Sequence, residues 1–246
     1  HSEMEIGKVY TDDYAKYGPY YDLLNAKPDA IKSSIKVALK NNSHKATFSA
    51  AITNGNYYQE PFPANETYTG ILAASAKNEA LPTQDWTDYT FPFTYNEGVD
   101  AKAIMVTIST NASPGTGTDG DKVYVDDVEL IYNAAISGIA LSGVTLEGFA
   151  FDAATTDYNV TYSGAAMTIT AENFDVTANG MSAMVVKNVE DMGYGNYRVV
   201  IGVTSPDFKN QALYTININK RPIYILGDVN GKEWAANDGL MMDTED

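Results

Sequence analysis

The chain has 246 residues, 44% of them apolar, which allows one large domain or two ordinary ones with a hydrophobic core in each. Its net charge of −16 and pI of about 4.3 exclude a nucleic-acid partner and disfavour an anionic membrane surface. Cysteine is absent, which excludes disulfides, thiol nucleophiles and zinc–thiolate sites.

The N-terminus indicates processing, because the chain begins with His1 rather than Met. We therefore expect that an export signal or a lipid anchor has been removed. No apolar run approaches the roughly 18 residues that a membrane helix needs. Export without cysteine fits a bacterium, so we expect a protein of the cell surface, exported to the outer membrane or its periplasmic face, and anchored only through the removed lipid signal.

The first strongly patterned segment is 29–40, and it allows two interpretations. Ile31, Ile35 and Leu39 recur four residues apart, as in a helix. Ile35, Val37 and Leu39 also alternate, as in a strand. Short alternating segments between Gly, Asn, Asp and Pro turns surround it, and this context favours the strand.

Three aromatic residues of the first half are candidates for sugar binding, which needs flat aromatic faces together with polar groups. Tyr57 and Tyr58 follow an Asn-Gly-Asn turn and are expected to be exposed. Trp86 opens the segment WTDYTFPFTY, whose inward aromatic alternation favours a place in the core. The alternative for all three is ordinary half-buried packing on a strand. Five further tyrosines, between positions 10 and 21, are too mixed with Asp, Gly and Pro to lie entirely in a core.

Two strands are predicted next, at 101–109 and 122–132. In the second, the apolar residues change faces between Val125 and Val128, which predicts a β-bulge at Asp126–Asp127. These two carboxylates, with Asp119 or Asp121 from the preceding loop, are candidates for a structural calcium site. In the alternative, Asp126 caps backbone groups and Asp127 is solvated. No other cofactor is expected.

Two boundaries divide the chain. A joint of small residues at 133–135 precedes a new cycle of strands, and Lys-Arg-Pro at 220–222 ends it. Alternation predicts strands at 197–203 and 214–219, the second as a half-buried antiparallel strand. We therefore predict domains at 1–133 and 134–221, followed at 222–246 by a tail or the start of a third β module.

The first domain resembles the family named putative carbohydrate metabolism domain, found in Gram-negative gut bacteria. The resemblance covers roughly residues 25–132 and rests on the order of its features. They are Lys27–Pro28, the Trp86 strand ending in Phe-Thr-Tyr, the Ser-Thr strand end at 109–110 and Val-Asp-Asp-Val at 125–128. It implies a jelly-roll fold like that of carbohydrate-binding modules, which often hold a structural calcium near this last strand.

The second domain resembles the cadherin-like, immunoglobulin-like β-sandwich of bacterial surface proteins. The matched residues are Leu141 to Gly143, Phe149 to Tyr158 and Tyr214 to Ile216. The resemblance implies a spacer. The tail at 223–246 resembles the opening strand and turn of starch-binding modules in Sus-type surface lipoproteins, which makes Trp234 a further sugar-binding candidate. Together the resemblances imply an all-β chain of two tandem sandwiches, a jelly roll followed by an immunoglobulin-like domain.

No catalytic motif is present in the sequence. The only histidines are His1 and His44, and there is no nucleophile elbow, phosphate loop or dinucleotide fingerprint. We therefore expect a monomeric, non-catalytic surface protein that binds glycan or polysaccharide through its first domain, as in polysaccharide utilisation. The alternative is a structural or adhesive surface protein with a protein partner.

Overall fold

The computed structural model describes residues 3–6, 22–56, 70–112, 116–222, 224–225 and 240–241. Over these residues the chain is built of β-strands and one short 3₁₀ turn, which confirms the predicted all-β sandwich class. It divides into two compact units, His1–Asn133 and Ala134–Asp246. In the part described, no helix is long and apolar enough to cross a membrane.

Unit 1 contains nine strands among its described residues. They are β1 (Glu3–Ile6), β2 (Asp22–Leu23), β3 (Ala30–Ala38), β4 (Ala46–Thr53), β5 (Leu72–Leu81), β6 (Gln84–Pro92), β7 (Thr94–Tyr95), β8 (Ala103–Ser109) and β9 (Lys122–Ile131). One sheet has the order β1-β8-β4-β5-β7, with β2 also paired to β8, and the other has the order β6-β3-β9. All their pairings are antiparallel.

The core of unit 1 lies between these two sheets. Ile31, Ile35 and Val37 of β3 point inward and share one apolar cluster with Phe48 and Ile52 of β4. The strand interpretation of 29–40 is therefore confirmed. The burial of its side chains alternates with a period of two, not four, because β3 is the middle strand of its sheet and has one face in the core and the other facing outward.

The predicted bulge in β9 is confirmed. Ser34 pairs with Asp126 and Lys32 pairs with Glu129, so two residues of β9 lie opposite one residue of β3. Asp127 has a positive φ of 51°, and the Ser33 hydroxyl donates a hydrogen bond to the Asp126 carbonyl at 3.2 Å. The extra residue returns the apolar side chains to the core face, where Val123, Val125 and Leu130 all pack.

Unit 2 contains eight strands and the 3₁₀ turn Ala171–Asn173 among its described residues. The strands are β10 (Ala135–Leu141), β11 (Asp157–Tyr162), β12 (Phe174–Asn179), β13 (Met184–Gly193), β14 (Asn196–Thr204), β15 (Gln211–Lys220), β16 (Tyr224–Ile225) and β17 (Leu240–Met241). A two-stranded sheet, β10-β12, packs against a four-stranded sheet of order β11-β15-β14-β13. The remaining two strands, β16 and β17, pair with each other.

The strands predicted at 197–203 and 214–219 are both present, and the alternating apolar residues of each lie in the core of unit 2. The strand at 214–219, which is β15, was predicted to pair only with antiparallel neighbours, and this is correct for one of its two neighbours. β15 is antiparallel to β14 but parallel to β11. The long connection through β12, β13 and β14 brings the chain back in the same direction, which a hairpin cannot do.

Candidate ligand-binding site

Of the four predicted sugar-binding aromatics, only Trp86 lies within the described part of the chain. Tyr57, Tyr58 and Trp234 lie outside it, as do the tyrosines between positions 10 and 21. The candidate site is therefore built around Trp86 and the residues that the fold of unit 1 brings next to it.

Trp86 lies on the outer face of the sheet β6-β3-β9, and its side chain is 49% exposed. The preference for a core position was wrong. Tyr89 and Phe91 do point inward and stack with ring centroids 5.4 Å apart. Trp86, however, is an odd number of residues from both, so a period of two places it on the opposite face. A register shift opposite Lys36 also falls at Asp85–Trp86.

Tyr124 of β9 is the neighbour of Trp86, and it is not among the sugar-binding residues predicted from the sequence. Its side chain is 42% exposed, and its ring centroid is 6.4 Å from that of Trp86 with the ring planes tilted by 58°. A signal was present in the sequence, since Tyr124 lies between Val123 and Val125. Two apolar residues that face the core require the residue between them to face outward.

Lys36 of β3 and Asp85 of β6 supply the polar groups beside these rings. Lys36 is the register partner of Tyr124, and its Nζ donates to Asp85 Oδ1 at 2.8 Å. The same carboxylate oxygen accepts the backbone N–H of Trp86 at 3.0 Å. The hydrogen bond from Lys36, followed by that N–H, lowers the pKa of Asp85, and the bond to Asp85 raises the pKa of Lys36.

We call Trp86, Tyr124, Lys36 and Asp85 the aromatic platform. It offers two exposed π faces, a cationic donor and an anionic acceptor on one sheet surface. Glycosidases need a carboxyl group with a raised pKa to protonate the leaving group. The pKa of Asp85 moves in the opposite direction, so Asp85 is ionised at neutral pH and can only accept hydrogen bonds.

The four aspartates predicted to hold calcium do not converge. Both carboxylate oxygens of Asp121 accept backbone N–H groups, from Lys40 at 2.6 Å and from Thr118 at 2.8 Å. Asp126 accepts the N–H of Asp127 at 2.9 Å, as the capping alternative proposed, and Asp119 and Asp127 are exposed. Among the described residues no three His, Cys, Asp or Glu side chains are grouped to hold a metal ion. A calcium site stays a prediction, which calorimetric melting with calcium and with chelator would test.

Comparison with known proteins adds little to this picture. No protein-family model matches the chain, and neither does any curated protein sequence. One solved structure that resembles it is described as a putative glycoside hydrolase from Bacteroides thetaiotaomicron, with 15% sequence identity and a TM-score of 0.38. The match covers 53% of this chain and 47% of that one, so the chain spans less than half the length of this structural relative.

Proposed function

We propose that this protein binds glycan or polysaccharide without catalysis, through the aromatic platform of unit 1. The observation that carries the proposal is the pair of large aromatic side chains, Trp86 and Tyr124, left side by side and exposed on the outer face of one sheet. Aromatic faces stack on the C–H faces of sugar rings, and a small number of polar groups fix the orientation of the ligand.

The surroundings of the two rings support this role. They project from β6 and β9, which flank the middle strand β3, so the backbone beneath them is tied into a sheet and not carried on a loop. Lys36 and Asp85 offer a donor and an acceptor next to them, which suits the hydroxyl groups of a sugar. Unit 2 is proposed to be a spacer, and the whole protein to be exported to a bacterial cell surface.

Affinity gel electrophoresis of the full chain in soluble polysaccharides tests the proposal. Trp86→Ala and Tyr124→Ala should each weaken binding about fivefold, since a stacked ring contributes about 1 kcal/mol. Trp86→Phe should restore part of the loss because it restores an aromatic face. Circular dichroism checks that each variant is folded.

A matched control is Phe208→Asn in unit 2. Phe208 is also an exposed aromatic residue, and its φ of 60° is one that Asn tolerates. This variant should bind as the parent chain does. Equal retardation of the parent and of both platform variants would place any glycan site elsewhere.

The adhesive alternative is favoured by a different surface, on the four-stranded sheet of unit 2. Val186 and Leu213 are 65% and 60% exposed and lie on either side of Gly202 in one row across β13, β14 and β15. Met184 is exposed one row further along. Exposed apolar side chains that cluster on one face are typical of protein-contact surfaces.

Replacing two of these side chains tests the alternative. Val186→Thr with Leu213→Gln should abolish adhesion of the full chain to bacterial or host cells if this face contacts a protein, and should leave glycan retardation unchanged. Loss of adhesion in Trp86→Ala instead would assign adhesion to the aromatic platform.

A further inference from the structure

The geometry of the aromatic platform restricts the form of its ligand, if the proposed function is correct. The ring planes of Trp86 and Tyr124 are tilted by 58°. A flat sugar surface can lie parallel to the ring plane of Trp86 or to that of Tyr124, but not to both. Two rings with this tilt therefore cannot both stack on the coplanar sugar rings of a crystalline polysaccharide.

The fold beneath the two rings sets the directions in which their side chains leave the sheet. Trp86 and Tyr124 stand on β6 and β9, the outer strands of a three-stranded sheet, with Lys36 of β3 between them. Neighbouring strands are rotated by roughly 20–25°, so side chains two strands apart differ in direction by about 40–50°. Sheet twist therefore turns the two side chains away from a common direction, and the torsion angles of each side chain set the final tilt between the ring planes.

The ion pair of Lys36 and Asp85 also favours a soluble, neutral glycan over a crystalline or anionic one. Lys36 and Asp85 find more available hydroxyl groups on a single chain in solution, where no neighbouring chain competes for their hydrogen bonds. The Lys36 ammonium is already paired with a carboxylate at 2.8 Å, so it offers little net attraction to an anionic sugar. The net charge of −16 adds a general repulsion of polyanions.

We infer that the aromatic platform takes a neutral, soluble glycan chain that twists along its length, so that successive sugar rings meet Trp86 and Tyr124 at different angles. Crystalline and polyanionic polysaccharides are excluded as ligands of this site.

The experiment compares the full chain with Trp86→Ala on three kinds of probe. Soluble neutral glucans and xylans are used in affinity gels, polygalacturonate is the anionic gel additive, and microcrystalline cellulose is used in a pull-down. We expect retardation by at least one neutral soluble chain, weakened about fivefold by Trp86→Ala and again by Tyr124→Ala. Cellulose should leave the protein in the supernatant, and polygalacturonate should not retard it.

Two results would overturn the inference and leave the proposed function standing. One is depletion of the parent chain, but not of Trp86→Ala, by microcrystalline cellulose. The other is retardation by polygalacturonate that Trp86→Ala abolishes. If no probe binds in a way that depends on Trp86, the proposed function itself is wrong, and the inference fails with it.

Discussion

Asp127, Tyr194 and Phe208 have positive φ angles of 51°, 55° and 60°, a backbone conformation that residues other than Gly, Asn and Asp rarely adopt. Asp127 occupies it at the bulge of β9, and the other two occupy it in hairpin loops. At the bulge, the conformation decides which side chains of β9 reach the core. The identity of residue 127 therefore affects the packing of unit 1.

Substitution of Asp127 tests this role of the backbone. Asp127→Val should lower the free energy of unfolding by about 2 kcal/mol, because a β-branched residue is strained at this φ. Asp127→Gly should stay within about 1 kcal/mol of the parent, because Gly adopts this conformation freely. Chemical denaturation measures both, and equal losses in the two variants would show that the side chain, not the backbone, is what matters at this position.

Gly195 illustrates a different constraint, the close approach of a neighbour. A Cβ at this position would lie 2.5 Å from the hydroxyl of Tyr162, which donates a hydrogen bond to the Gly195 carbonyl at 2.7 Å. Gly193 lies in the same hairpin with φ of 83°, and nothing lies within 4 Å of its Cβ position.

The two glycines form a matched pair for mutation. Gly193→Ala should cost about 1 kcal/mol of unfolding free energy, the strain of the positive φ alone. Gly195→Ala should cost about 1–3 kcal/mol more, because Tyr162 must move and its hydrogen bond is lost. Urea denaturation of both variants gives the difference, and a difference near zero would contradict the contact described for Tyr162.

At the scale of the element, β3 organises unit 1. It is the middle strand between β6 and β9, its inner face carries fully buried isoleucines, and its outer face carries the lysine of the aromatic platform. Pairing with β3 is what brings Trp86 and Tyr124 together, although they are distant in sequence. The platform therefore depends on the register of this strand.

Substitutions at two adjacent residues of β3 test its inner and outer faces separately. Ile35→Ala should lower the free energy of unfolding by about 2–5 kcal/mol, because it leaves a cavity in the core. Ser34→Ala, on the outer face, should change it by no more than about 0.5 kcal/mol. Thermal or urea unfolding measures both, and comparable losses would contradict the inward position of Ile35.

At the scale of the whole molecule, three carboxyl groups with lowered pKa values contribute to the dependence of stability on pH. Backbone N–H groups of Thr118 and Lys40 lower the pKa of Asp121, the Ser205 hydroxyl lowers that of Asp207, and Lys36 lowers that of Asp85. A carboxyl group with a lowered pKa in the folded state stabilises the fold above its ordinary pKa of about 3.9. That stabilisation is lost as the pH falls through the lowered value.

The comparison of the parent chain with Asp121→Asn isolates one of these groups. The parent should melt at a higher temperature than the variant at all pH values above about 5, because its carboxylate accepts two backbone N–H groups. The difference should shrink as the pH falls below about 4. A difference that is independent of pH down to strongly acidic solution would show that ionisation of Asp121 does not stabilise the fold.

Alternation alone determined the strands at 197–203 and 214–219 and the bulge at Asp126–Asp127, since the face of a strand residue follows from its neighbours in sequence. At 29–40 a helical period competed with the alternation, and the surrounding turns and short strands decided for the strand. The tertiary structure decided the parallel pairing of β15 with β11 and the placement of Trp86 next to Tyr124. Both depend on which distant strands pair and in which register, and no local pattern contains that information. The sequence pattern thus indicated one aromatic residue of the platform, and only the pairing of β6 and β9 with β3 supplied the second ring and the polar pair.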